Sequence, residues 1–426
     1  MKSELLKKLI KDGGLDERFT ALYGADQIEF QRKRYADAID AYLEEYKADG
    51  DIQIFSVSGR SEISGNHTDH NNGQVIAAAI NLDIIAVVVP RNDGIINIKS
   101  EGFPKDTVDS SDVQPDEKYY FSSYSLIRGM CCGFENAGLK TGGFDAYTTS
   151  NVFKGSGLSS SAAFEVMVGN ILNHLYNNGT VDSVDIAKMA QYAENVHFGK
   201  KSGLMDQMSC AVGGFINIDF KDTSAPVIKK IDFDLNKYGY YLYIVDTGGN
   251  HADLSDDYSS VPIEMKSVAS LLGHTVLRES SYEEVIQNAK EIRQKVGDRA
   301  LLRAIHYFNE NERVDRQAAA LESGDLDSFF KESIASGLSS FRFLQNVYTV
   351  KNVEEQGLSL ALALAEQYLQ NKKAAWRVHG GGFAGTIQAF VPAEDSEGFK
   401  KALENVFGEG RCVALRVRND GAVKVI

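Results

Sequence analysis

The chain lacks what would tie it to a membrane, to nucleic acid or to an oxidising compartment. No apolar run approaches the roughly 20 residues needed to cross a bilayer. The opening stretch, MKSELLKKLIKDGG, is amphipathic and charged, without the basic region and apolar core of a secretory leader. Both absences predict a cytoplasmic protein with no membrane partner. Only four cysteines occur in 426 residues, Cys131, Cys132, Cys210 and Cys412. Their spacing makes neither a metal-ligand set nor a disulfide framework, and the adjacent pair is expected to be buried thiols. Basic residues are in deficit, 45 Lys and Arg against 59 Asp and Glu, for a net charge of −14. That argues against nucleic acid, which needs a basic face, and leaves an anionic substrate dependent on local positive groups. A linker, a low-complexity tract and an internal repeat are missing as well.

What is present is enough apolar content for more than one core. With 43% hydrophobic residues the chain can bury two, so a cleft between two domains is expected. FQRKRYADAIDAYLEEYKA has apolar positions at helical spacing. Strands are predicted at Ile84 to Val89 and at Phe144 to Ser150. A Gly/Ser turn then opens an Ala-rich helix from Ser160 to Tyr176, and another helix runs through Ile186 to Val196. GFINIDF and YYLYIVD read as strands, residues 262–370 as a long helical region, and the last sixty residues as strand, helix and strand. KDTSAP interrupts the pattern near residue 225, which divides the chain into expected domains 1–225 and 226–426.

Three segments carry chemistry. The strand-like DIQIFSVSG runs into GRSEISGNHTDHNNG, Gly59 to Gly73, which packs Arg60, His67 and Asp69 into a Gly-bounded loop. Such loops are where rigid scaffolds place function, although His67 and Asp69 alone read equally well as a hydrogen-bonded turn. The second segment, GSGLSSSAA, contains Gly155, Ser156, Gly157, Leu158, Ser159, Ser160 and Ser161. Its glycines let backbone N–H groups approach an anion, and its serines add hydroxyl donors where a helix begins and its dipole favours phosphate. The nearest approach to a Walker loop, GFENAGLKT at Gly133 to Thr141, has one residue too many before its Lys. In the third segment, AENVHFGKKSGLMDQMS, Glu194 and Asp206 lie twelve positions apart. Phosphoryl transfer to a hydroxyl needs a metal on the phosphates, a carboxylate for the hydroxyl proton and a cation for the transferred charge. Glu194, Asp206 and Arg60 can supply these roles, while each carboxylate alone also reads as a cap or a surface residue. RVHGGGFAGTIQAFV, Arg377 to Val391, adds a glycine-rich turn suited to close packing against a ligand or loop.

Taken in order, GRSEISGNHTDH, GSGLSSSAA and HGGGFAGT resemble the three motifs of the GHMP small-molecule kinases, and the first, together with GLMDQ, resembles galactokinases in particular. The similarity extends from about Phe55 onward. It implies an α/β (α+β) two-domain fold, with an N-terminal domain like the second domain of ribosomal protein S5 and a ferredoxin-like C-terminal domain. ATP and a sugar would meet in the cleft. It further implies that Gly155 to Ser161 hold the ATP phosphates and that Ser161 and Glu194 bind Mg2+. Asp206 would be the base for the anomeric hydroxyl, kept ionised by Arg60, which also stabilises the transferring phosphoryl group. Asn66, His67, Asp69, Gly203, Asp206 and Tyr258 would contact the sugar. The implied reaction is ATP-dependent phosphorylation of the anomeric hydroxyl of galactose to galactose 1-phosphate, in the Leloir route; the sequence does not fix the oligomeric state, and a monomer is favoured.

Several positions depart from the family pattern. Phe153 stands for a usual Pro, Ser202 for a common Cys, Ala384 for a Gly, and His70 for a Tyr. Glu62 and Asn66 stand where the family usually has Asn and Glu, so the two side-chain types are exchanged. An amide both donates and accepts where an ionised Glu only accepts. These departures leave open a 1-kinase for galacturonate or arabinose, and a non-catalytic sugar sensor. Ser161, Ala162, Arg60 and Asp206 favour the enzyme; His67, Asp69 and Tyr258 favour galactose.

Overall fold

Two β-sheets organise the computed structural model, which describes residues 1–152, 158–200, 202–249 and 254–426. The first is built from β1 (Gln53–Ser64), β2 (Gln74–Pro90), β3 (Ile95–Ser100), β4 (Lys105–Asp109), β5 (Phe144–Ser150), β6 (Phe215–Asp219) and β7 (Val227–Ile231). The second is built from β8 (Tyr240–Asp246), β9 (Ala375–His379), β10 (Thr386–Pro392) and β11 (Cys412–Leu415), after which β12 (Ala422–Lys424) returns to the first. In the first sheet the order is β12-β1-β2-β5-β3-β4, with β6 paired to β2 and β7 to β6.

The long β1–β2 hairpin is the spine. The start of β2 pairs with β6, from Gln74↔Asp219 to Ala78↔Phe215, and its end pairs with β5, from Ile84↔Ser150 to Pro90↔Phe144. A strand buried on both faces reads as a continuous apolar run, and VIAAAI and IIAVVV in β2 do so. One face, through Val57, Ala86 and Val88, packs on helices Ser123–Asn136, Ser160–Tyr176, Ser183–Tyr192 and Met205–Val212. The other, through Ile54, Ile85 and Val87, packs on the N-terminal helices Ser3–Lys11, Asp16–Tyr23 and Ile28–Tyr46. Register shifts between Ser58 and Arg60 and between Glu62 and Ser64 interrupt the hairpin. Such irregularities re-aim side chains, and these two bracket Arg60 and Glu62.

The second sheet is antiparallel with order β11-β8-β10-β9. Numbered within its own β-α-β-β-α-β unit, that order is 4-1-3-2, the ferredoxin-like arrangement. Helices Gly357–Leu369 and Ser396–Phe407 pack on one face against Val245, Val378 and Ile387. Its other face, with Leu242, Ile244 and Phe390, joins helices Asp298–Ser323 and Leu326–Ser339 in a cluster that also holds Ile63, Ile76, Ile80 and Leu158. The apolar core is therefore continuous between the halves, which orients one against the other.

The strands expected at Phe144 to Ser150 and in YYLYIVD, and the helix from Ser160 to Tyr176, form over those residues. The helical stretch at 262–370 is divided among several helices, including Ser255–Leu271 and Asp298–Ser323. Residue 225 lies in the turn between β6 and β7, whose strands pair across it from Phe215↔Ile231 to Asp219↔Val227. All four cysteines are buried thiols. No helix among the described residues is long and apolar enough to cross a membrane.

Candidate active site

The site grows from the end of β1. After the register shifts, Gly65 turns the chain at φ +90°, and His67 follows at φ +61°, a left-handed conformation that costs a non-glycine residue energy. The turn is over-determined. The Thr68 hydroxyl donates to the Gly65 carbonyl at 2.9 Å, Gly73 N–H to the Thr68 carbonyl at 2.9 Å, and His67 Nε2 to the Gly381 carbonyl at 2.9 Å. The last bond fixes the imidazole tautomer and ties the first motif to the glycine-rich turn of the third. Burial, and then His70, push His67 down to about 3, so the ring is neutral at ordinary pH.

Asp206 lies in the first turn of Met205–Val212, where the helix dipole favours a carboxylate. Arg60 approaches one oxygen, Oδ1, with Nη2 at 2.7 Å and Nε at 2.8 Å, and the Ser159 hydroxyl donates to the other. Burial alone would raise the Asp206 pKa. The Arg60 charge, the Ser159 and Arg60 hydrogen bonds and the Lys200 charge together outweigh it and hold the carboxyl below its usual range. Backbone contact joins the same two segments, because Arg60 N–H donates to the Leu158 carbonyl at 3.2 Å. A Cβ on Gly59 would come within 2.9 Å of that oxygen.

Around this pair lies a cavity of about 440 Å³, lined by Arg60, Glu62, His67, Asp69, His70, Lys200, Ser202, Gly203, Met205, Asp206, Tyr258, Lys266, Gly380 and Gly381. Both halves of the chain contribute to its wall, and it brings together every expected catalytic and sugar-contacting residue except Asn66. It is rich in free acceptors. Among the described residues, Glu62 Oε2, the Asp69 carboxylate and His67 Nδ1 accept no hydrogen bond. The Tyr258 ring stands 5.3 Å from His67 and edge-on to His70 at 6.0 Å. Burial, then Asp69 and Asp206, push its phenol well up, so it remains protonated. A Cβ on Gly381 would meet the Tyr258 ring at 2.4 Å, so only glycine permits this approach.

Asn66 lies behind the cavity wall, fully buried, with its side chain committed to protein partners. Glu62, whose chemistry the loop pattern did not assign, lines the cavity instead. Burial raises its carboxyl despite the nearby Arg377 and Arg60.

A second cavity, of about 590 Å³, is lined by Ser160 and Ser161 together with Leu126, Phe103, Phe121, Phe164, Phe198 and the carboxylates Glu101 and Asp106. These aromatics carry no motif; the β3–β4 turn (Phe103), the stretch before helix Ser123–Asn136 (Phe121), helix Ser160–Tyr176 (Phe164) and the turn Ala193–Phe198 (Phe198) bring them together, which sequence reading missed. The segment Ser159–Ser161 thus serves both cavities, since Ser159 bonds Asp206 while Ser160 and Ser161 line the second. Leu158 is buried in the core. Phe153, Gly155, Ser156 and Gly157 lie outside the described residues.

Glu194 sits in the π-helical turn Ala193–Phe198, only 2% exposed. Lys200 Nζ is 2.9 Å from its Oε1, while Gln207 Nε2, at 2.8 Å, and the Ser202 hydroxyl donate to its Oε2. Gln207 also donates to Glu165 at 3.1 Å, and burial, then Glu194, push the Glu165 carboxyl well up. The described residues contain no group of three or more His, Cys, Asp or Glu disposed around one metal position.

Residues 40–90 match the galactokinase galactose-binding signature, and residues 125–214 match the GHMP kinases N terminal domain. The chain is similar to the galactokinase of Streptomyces coelicolor, 31% identical over 413 residues, covering 95% of each protein. It is 30% identical to that of Limosilactobacillus reuteri, covering 86% of this chain and 92% of the relative. Among solved structures, Lactococcus lactis galactokinase complexed with galactose aligns with a TM-score of 0.75 at 24% identity, covering 90% of this chain and 98% of that one. Methanococcus jannaschii mevalonate kinase aligns at 0.60 and 14% identity, covering 86% and 99%. At these identities the structural matches establish the fold.

Proposed function

The chain belongs to the galactokinase family, and on that footing we propose that it transfers the γ-phosphoryl group of ATP to the anomeric hydroxyl of galactose, giving galactose 1-phosphate and ADP. The observation that carries the reading is the position of Asp206. Its carboxylate lines the smaller, acceptor-rich cavity while bonded to Ser159, whose neighbours Ser160 and Ser161 line the larger, aromatic one. A polyhydroxylated, uncharged ligand suits the first cavity, because its hydroxyls donate to Glu62, Asp69 and His67. A nucleotide suits the second, with its base among the phenylalanines and its phosphates toward the serines and the helix N-terminus.

In this reading Asp206 takes the proton of the anomeric hydroxyl as that oxygen bonds to the γ-phosphorus and the bond to ADP breaks. Arg60 keeps Asp206 ionised and faces the charge that develops on the transferring group. His67, Asp69, Tyr258 and the backbone at Gly203 orient the sugar. The halves 1–225 and 226–426 share the work, the first holding both motifs at the reaction centre and the second supplying Tyr258, Lys266, Gly380 and Gly381 to the wall.

The Ser161 hydroxyl and the Glu194 carboxylate are hard oxygen donors of the kind magnesium takes. An ion pair of Glu194 with Lys200 at 2.9 Å, whose side chain is 55% exposed, supports a cation at this carboxylate. Ser161 and Glu194 would hold magnesium, which when bound would supply positive charge to offset that of the phosphates.

A coupled ADP-release assay over galactose, glucose, N-acetylgalactosamine, galacturonate and arabinose tests the reaction. Galactose is expected to give the highest kcat/KM. Preference for another of these sugars would overturn the substrate, and no ADP release with any would overturn the enzyme.

A further inference from the structure

We infer that Glu62 is the specificity-determining carboxylate of the sugar cavity, accepting a hydrogen bond from one sugar hydroxyl, and that Asn66 is a structural tie that never reaches the sugar. The inference rests on the galactokinase reading and extends it to a residue which that reading leaves unassigned.

The two side chains touch, with Asn66 Nδ2 donating to Glu62 Oε1 at 3.1 Å. Asn66 has nothing left to offer. The second hydrogen of its amide goes to the Gly380 carbonyl at 2.7 Å, and its Oδ1 accepts from Asn346 Nδ2 at 2.8 Å and from the Ser340 hydroxyl at 3.3 Å. An amide supplies two donors and two acceptor lone pairs, and all four are used.

Glu62 is half committed. Its Oε1 is held by Asn66 and by Arg377 Nη2 at 3.0 Å, and Arg377, fully buried, is itself anchored by Nη1 to the Ile63 carbonyl at 2.9 Å. Its Oε2 has no hydrogen-bond partner among the described residues, and Glu62 lines the cavity. A rigidly held carboxylate with one open oxygen accepts from a neutral hydroxyl and repels an anionic group at the same place. The exchange of residue types at 62 and 66 therefore keeps one carboxylate and one amide in contact and puts the carboxylate on the cavity side.

The test is a cycle of kcat/KM and calorimetric sugar binding for wild type and Glu62→Gln, using galactose, its 2-, 3-, 4- and 6-deoxy analogues and galacturonate. In wild type, removing the hydroxyl that Glu62 reads should cost roughly ten- to hundredfold, the range of a hydrogen bond to a charged group. In Glu62→Gln that penalty should shrink at least threefold, for this analogue alone. Glu62→Asp keeps the charge partner of Arg377 and carries the same test if the Gln variant does not fold. Asn66→Ala should lower Tm and weaken all the sugars by one common factor. Equal penalties in wild type and both Glu62 variants would overturn the inference, as would coupling of a deoxy sugar to Asn66 instead. Coupled binding without turnover would overturn the proposed reaction alone, and absence of sugar binding would overturn both.

Discussion

Arg60 and Asp206, 146 residues apart, meet at a single carboxylate oxygen, which takes a hydrogen bond from Nε and an ion-pair contact from Nη2, leaving the other oxygen to Ser159. The cation thus grips the carboxylate from one side without covering it. Asp206→Asn keeps the shape and removes the proton acceptor. Single-turnover phosphorylation should fall about 10²–10⁴-fold, the usual share of general base catalysis, while calorimetric galactose binding changes little. A near-wild-type rate would remove Asp206 as the base.

Ser159 gives a prediction in pH. A base must be ionised, so activity is full above its pKa and is lost as pH falls through it. Because Arg60 and Ser159 hold the Asp206 carboxyl below its ordinary value, the acid limb of kcat/KM in wild type should lie below the usual carboxylate range. Ser159→Ala removes one restraining bond and should move that limb upward by roughly one pH unit, the equivalent of a hydrogen bond to a charged group. An unmoved limb would show that Ser159 does not tune the base.

His67 is expected to be silent. With its imidazole pushed down to about 3, its ring resonances should not titrate between pH 5 and 8 in an NMR series, and its protonation should leave no step in the galactose KM over that range. A titration midpoint near 6.5 would contradict the buried neutral ring.

Gly381→Ala tests the wall rather than the chemistry. The new methyl would strike the Tyr258 ring, 2.4 Å from the position of its Cβ, and drive the ring away. Galactose KM should rise roughly fivefold, about one neutral hydrogen bond, with kcat nearly unchanged. A fall in kcat at constant KM would place Tyr258 in catalysis instead.

Glu194→Gln should raise the magnesium concentration needed for half activity, since a neutral amide is a weaker ligand for a hard cation than a carboxylate. An unchanged magnesium titration would exclude Glu194 from the metal site.

By itself, the amino-acid sequence determined what is local. Period and composition located the helix Ser160–Tyr176 and the strands Phe144–Ser150 and Tyr240–Asp246, because apolar spacing is a property of neighbouring residues. Residue types within short loops likewise marked Arg60, His67, Asp69 and Asp206, since chemistry resides in the side chain. Only the tertiary structure decided which side chain faces which. Register shifts in β1 aim Glu62, while Asn346 and Gly380, some three hundred positions away, hold Asn66 behind the wall. The aromatic cavity beside Ser161 and the return of β12 to β1 have the same origin. They are contacts between segments far apart in sequence, and no spacing within the chain encodes a partner that folding alone brings near.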